Sequence, residues 1–171
     1  KMTRFINLLT VIRILLAPII LIFLIFGDYL LCIFLFLLAG MSDYFDGYLA
    51  RKYNAESQLG EILDPIADKI LVVFILIGLS VNLHSYLMAL MSSFIISREI
   101  GVAALRDYAA RNEMSHKTKV TFLAKSKTAL QLFTIMLYLI ALSFNLNLLI
   151  LIGDISLIAA TLITLYTGYE Y

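Results

Sequence analysis

The chain has 171 residues, 62% of them hydrophobic, with a net charge of +1 and a mean hydropathy of +0.96. Soluble domains are about 45–50% apolar, so a water-soluble globular fold is excluded. The length suits one membrane domain over residues 1–171 and leaves no room for a separate soluble one. A single cysteine, Cys32, excludes an internal disulfide and a cysteine-based metal site, and reads as a small hydrophobe in an apolar run.

The apolar runs predict six helical spans, at about 6–26, 29–51, 60–82, 85–111, 120–144 and 147–168, each long enough for a bilayer core. Periodicity does not separate helix from strand in runs this apolar. Helix follows instead from length and from the need to satisfy every backbone group without water. The first span holds Arg13 and Pro18 with no small-residue cleavage site after it, so no cleavable signal peptide is expected. The breaks are short: Gly27-Asp28, Asn54 to Gln58, Asn82-Leu83-His84, Asn112 to Lys119, and Asn145-Leu146-Asn147. His84 and His116 stand alone in loops, and no role is expected of them.

Lys and Arg cluster toward one side, and the turns around 27–28, 82–85 and 144–147 contain none. By the positive-inside rule the N-terminus, the 52–59 loop, the 112–119 loop and the C-terminus are cytoplasmic. The expected fold is an all-α integral membrane protein with six transmembrane helices and both termini cytoplasmic.

Four aspartates stand out against this background. Asp43 and Asp46 are three residues apart and Asp64 and Asp68 four apart, so each pair lies on one face of its own helix. An ionisable residue inside a membrane helix costs roughly 2.5–3.5 kcal/mol and is a functional-site hypothesis by default. Carboxylates without His or Cys nearby are hard oxygen ligands, suited to Mg²⁺, Mn²⁺ or Ca²⁺ rather than zinc. Four acids on two helices could hold two divalent ions, the usual clamp for displacement at phosphorus, and leave an oxygen to act as a base. The plainer reading pairs some of these acids with Arg51, Lys69 or Arg106.

The full spacing is Asp43-x2-Asp46-Gly47-x2-Ala50-Arg51-x8-Gly60-x3-Asp64-x3-Asp68. With average residue usage, eight fixed positions match by chance on the order of 10⁻¹⁰ per start point. This resembles the signature of the CDP-alcohol phosphotransferase family, with every position present. The resemblance implies six transmembrane helices, two divalent cations (Mg²⁺ or Mn²⁺), a homodimer, and transfer of a phosphoalcohol from a CDP-alcohol with release of CMP. Carried over by position, it implies Asp43, Asp46 and Asp64 as metal ligands and Asp68 as general base, with Asp68 also counted among the ligands. Gly47 and Gly60 would let a nucleotide approach the helix backbone closely, Ala50 would keep the space open, and Arg51 would bind a phosphate oxygen. Outside the motif, Gly47 and Ala50 would read as close-packing positions between helices.

Three further stretches resemble the bacterial branch of that family that uses sn-glycerol 3-phosphate. They are Asn7 to Arg13 with Pro18, Ser97-Arg98-Glu99-Ile100 with Ala104-Leu105-Arg106-Asp107, and Lys125-Ser126-Lys127-Thr128 with Gln131. The resemblance then implies CDP-diacylglycerol as donor, sn-glycerol 3-phosphate as acceptor, a bacterial cytoplasmic membrane, and no nucleic acid. Arg98, Arg106, Lys125 and Lys127 are the candidate acceptor-phosphate residues, Glu99 is expected to orient them, and Asn7 and Thr10 are candidates for the donor side. Arg98 and Arg106 share a helix face about 12 Å apart, with Arg98 deeper. Lys125 and Lys127 point about 200° apart on a regular helix, so one would hold phosphate while the other reaches the headgroup region. The bland alternative is snorkelling, preferred for Arg111, Lys117 and Lys119. The last forty residues read as generic apolar helix, with Asp28 and Asp154 on the far side from the acids.

Other readings stay open here. The acceptor could be inositol phosphate, serine or phosphatidylglycerol. A cation transporter would line an ion path with the acids, although such proteins favour inverted repeats, and none is visible. A membrane scaffold gives four intramembrane acids nothing to do.

Overall fold

The computed structural model describes residues 2–53, 58–111 and 122–169. Within them the side chains at 2–5, 50–51, 58–59, 61, 106–107, 109–111 and 122–126 lie outside the description. Among the described residues there are six helices: α1 (Met2–Phe26), α2 (Tyr29–Tyr53), α3 (Gln58–Asn82), α4 (Tyr86–Arg111), α5 (Phe122–Phe144) and α6 (Asn147–Tyr169). All six predicted spans are present as helices. Five are long and apolar enough to cross a membrane. The exception is α3, whose first half carries Glu61, Asp64, Asp68 and Lys69.

Backbone chemistry sets the tight turns at one end of the bundle. Gly27, His84 and Asn145 each take a left-handed conformation, with φ of 83°, 48° and 53°. After α1 the Asp28 amide donates to the Phe23 carbonyl at 3.0 Å and the Gly27 amide to the Leu24 carbonyl at 3.2 Å. This pair of bonds closes a Schellman turn and satisfies carbonyls that a helix end leaves over. After α5 the Leu146 amide reaches back to the Ala141 carbonyl at 2.9 Å. His84, expected to have no role, is a helix terminator, and its amide donates to the Val81 carbonyl at 3.3 Å. Ser85 then caps α4, its hydroxyl accepting from the Met88 amide at 3.2 Å.

The core is apolar and centres on α1 and α3. Leu16, Ala17, Ile20 and Leu24 of α1 belong to the same buried cluster as Leu71, Ile75, Leu76 and Leu79 of α3. Cys32 is fully buried there, its Sγ 3.6 Å from the Ile20 carbonyl, in keeping with its reading as a small hydrophobe. α2 packs on α1 and α5, and α6 packs on α5 and α4. Two polar ties serve the half away from the motif acids. Asn82 accepts from the Tyr29 hydroxyl and donates to the Leu24 carbonyl, both at 3.0 Å. Tyr138 donates to Asp154 at 2.6 Å, which gives this buried phenol and the α6 carboxylate each a partner. The far ends of α1, α2 and α3 thereby bring the four motif aspartates together.

Candidate active site

The acid site is assembled from three helices. α2 supplies Asp43 and Asp46, α3 supplies Asp64 and Asp68, and α1 supplies Thr10 and Arg13. The Arg13 guanidinium is fully buried, and its Nη1 donates to Asp43 and to Asp68, each at 2.7 Å. Its Nη2 donates to Asp46. Thr10, one turn earlier, donates to Asp64 at 2.8 Å. The Asp46 side chain is 3% exposed, whereas those of Asp43 and Asp68 are 51% and 49% exposed. One carboxylate is therefore locked inside the bundle and two open onto a cavity.

The role of Arg13 as partner of the acids is not among the expectations from the sequence. The sequence offers Arg51, Lys69 and Arg106 as counter-charges; among the described residues it is Arg13 that joins Asp43, Asp46 and Asp68. The side chains of Arg51 and Arg106 lie outside the described residues. A lone arginine in the middle of the apolar span Ile6–Phe26 was the available signal, because a cation there needs an anion facing it.

The donor set can be tested against the expected divalent ions. Among the described residues no three carboxylates close directly on one ion-sized point. The guanidinium stands between them, and three carboxylates from two helices already face that one cationic group. All of these donors are oxygens, without imidazole or thiolate, which fits hard divalent cations.

Two cavities meet at Asp68. The larger, about 440 Å³, is mostly apolar; Phe36, Leu37, Leu71 and Leu132 line its walls, and Arg13, Asp43 and Asp68 its polar end. The smaller, about 250 Å³, is lined by Lys69, Arg98, Glu99, Lys127 and Gln131 as well as Asp68. Asp68, Val72 and Thr128 border both.

The basic site has its own geometry. Glu99 accepts from Arg98 Nη1 at 3.3 Å and pairs with Lys127, through the same oxygen. Glu99 thus pairs with two of the candidate phosphate residues. The Arg98 and Lys127 side chains are nearly buried, which is unlike snorkelling. Gly60 is buried, and Asn7 and Gly47 are half-buried, Asn7 one turn before Thr10. The side chains of Ala50 and Lys125 lie outside the described residues, so of the motif's donor-side positions only the glycines are placed.

α6 corrects the reading of the last forty residues as featureless. Gln131 donates to Thr164 at 3.1 Å, and Arg98 Nη2 donates to Thr167 at 3.0 Å. Threonines at 161, 164 and 167 in an apolar helix were a legible signal, since a buried hydroxyl calls for a partner.

Comparison with known proteins identifies the family. The family model described as CDP-alcohol phosphatidyltransferase matches residues 5–166. A protein of Blochmanniella floridana is 43% identical over 143 residues, covering 83% of this chain and 73% of that protein. One of Rickettsia bellii (strain RML369-C) is 42% identical over 138 residues, covering 80% and 74%. One of Rickettsia typhi (strain ATCC VR-144 / Wilmington) is 37% identical over 171 residues, covering 96% and 93%. Each of the three is named CDP-diacylglycerol–glycerol-3-phosphate 3-phosphatidyltransferase. With a match running from the first helix to the last, the chain belongs to the CDP-alcohol phosphatidyltransferase family.

Proposed function

We propose that this protein transfers the phosphatidyl group of CDP-diacylglycerol to sn-glycerol 3-phosphate, giving phosphatidylglycerol phosphate and CMP. The observation that carries this reading is the position of Asp68, between an apolar cavity suited to a lipid donor and a basic cavity suited to a phosphorylated acceptor. The names of the relatives supply the same donor and acceptor.

In this mechanism the acyl chains of the donor stay in the apolar cavity while its pyrophosphate faces the acids. Asn7, Thr10, Gly47, Ala50, Arg51 and Gly60 form the donor-binding side. Arg98 and Lys127, with Arg106 and Lys125 beyond them, hold the acceptor phosphate. Asp68 takes the proton of the acceptor's terminal hydroxyl as that oxygen attacks the phosphorus bearing diacylglycerol. The new P–O bond forms as the bond to CMP breaks, and CMP leaves with the electron pair. Asp43, Asp46, Asp64 and Asp68 would hold two divalent cations, Mg²⁺ or Mn²⁺, which when bound supply positive charge for the phosphates and the leaving group. The buried basic pair favours an acceptor that carries a phosphate over an alcohol that carries none.

The same reading places all six helices across a bacterial cytoplasmic membrane as one domain, with both termini and the acids toward the cytoplasm. It takes the active form to be a homodimer.

The test is CMP release from CDP-diacylglycerol with Mg²⁺ or Mn²⁺, offering glycerol 3-phosphate, inositol phosphate, serine or phosphatidylglycerol, with Asp68→Asn as control. Metal-dependent release with glycerol 3-phosphate alone, abolished in the variant, is the expected result. Release with a different acceptor would replace the substrate and keep the mechanism. No release from folded protein, with cation flux in vesicles, would replace the enzyme with a transporter.

A further inference from the structure

The mechanism above gives α6 no part, yet its last turns hold the guanidinium on which the acceptor site depends. Thr167 is 1% exposed, and its hydroxyl donates its single proton within its own helix, to the Ile163 carbonyl at 2.8 Å or the Thr164 carbonyl at 3.1 Å. Its oxygen is thereby left as a fixed acceptor, and Arg98 Nη2 donates to it at 3.0 Å. Gly168 completes the seat. A Cβ at that position would stand 2.9 Å from Arg98 Nε and 3.0 Å from Cγ, so the arginine stem crosses α6 where a side chain is missing. On the other side Glu99 takes Nη1. Arg98 is therefore gripped at one Nη from its own helix and at the other from α6, with N–H groups left over. It lines the 250 Å³ cavity in this fixed pose.

We propose that Thr167 and Gly168 are positioning residues for recognition of a phosphate monoester: they fix the Arg98 guanidinium so that its remaining N–H groups meet the acceptor's phosphate. The proposal rests on the reading of that cavity as the acceptor site. Arginine binds phosphate through a planar fork, so its orientation matters as much as its charge. A guanidinium loose in the cavity would have to be ordered at each binding event.

The test compares Thr167→Val, Thr167→Ser and Gly168→Ala in the 171-residue chain. With Thr167→Val the KM for glycerol 3-phosphate rises about tenfold while kcat and the KM for CDP-diacylglycerol stay within about twofold. Thr167→Ser keeps the acceptor oxygen and returns the KM to within about twofold of the parent. Gly168→Ala moves the KM in the same direction as the valine variant and stands in for it if that protein misfolds. In an Arg98→Ala background Thr167→Val adds nothing, because the residue acts through Arg98. An unchanged KM in Thr167→Val, an equal rise for both substrates, or an undiminished effect without Arg98 would overturn the proposal.

A second measurement separates this claim from the reaction. Inorganic phosphate alone raises the unfolding temperature of the parent and of Thr167→Ser, and about tenfold more is needed for the same rise in Thr167→Val. Thr167-dependent phosphate stabilisation without catalysis would remove the proposed reaction and keep the positioning role. Catalysis with glycerol 3-phosphate that is indifferent to Thr167 would remove the positioning role alone.

Discussion

Arg13 sits on a helix that is otherwise nearly all apolar, and three carboxylates surround its guanidinium. A buried ion cluster is weak evidence for stability as such, but removing one member leaves the others uncompensated. Arg13→Met is accordingly expected to cost about 3–5 kcal/mol, because Asp46 is buried and loses its partner. Thermal unfolding in detergent with chelator present measures the loss. Adding Mn²⁺ or Mg²⁺ should recover more stability in the variant than in the parent, since a cation then fills the same electrostatic role. A variant as stable as the parent in chelator would refute the pairing. Arg13→Lys should fall between them, because an ammonium is a point charge and lacks the fork that reaches two sides at once.

At the scale of the element, three of the helix ends are set by single left-handed residues, and only one of these is glycine. A left-handed conformation costs an L-residue about 1–2 kcal/mol that glycine does not lose. Gly27→Ala should therefore destabilise by about 1 kcal/mol, and His84→Gly should stabilise by about 0.5–1 kcal/mol. Neither residue is near the acids, so CMP release should be unchanged in both. Chemical unfolding curves with parallel activity assays check this, and a His84→Gly protein less stable than its parent would contradict the turn geometry. The apolar helices themselves were legible because lipid admits few alternatives for a long apolar run. α3 was legible as a helix too, although its acidic half keeps it from meeting the composition of a membrane span.

For the whole molecule, the arrangement of turns and charges makes a topological prediction. The buried Cys32 is a quiet background for labelling with a membrane-impermeant maleimide. His84→Cys should react in intact cells, and Tyr53→Cys only after the membrane is opened. Both residues are exposed in the structure. Reaction of Tyr53→Cys from outside would invert the proposed orientation and place the acids on the wrong face for a cytoplasmic acceptor.

Much of this protein was determined at the level of the chain. Six helices follow from apolar length, the places of the turns from the short breaks between them, and the family from the spacing of eight motif positions. The basic stretches around Arg98 and Lys127 were also readable, as was a partner for Glu99 among its basic neighbours. What only the tertiary structure decided is which side chains meet. Arg13 and Asp68 are 55 residues apart, and Arg98 and Thr167 are 69 apart. A helix that is apolar all round carries no stripe to say which face turns inward. Helix packing supplied that direction, and with it the guanidinium among the acids, the hydroxyl behind Arg98, and Asp68 at the boundary of two cavities.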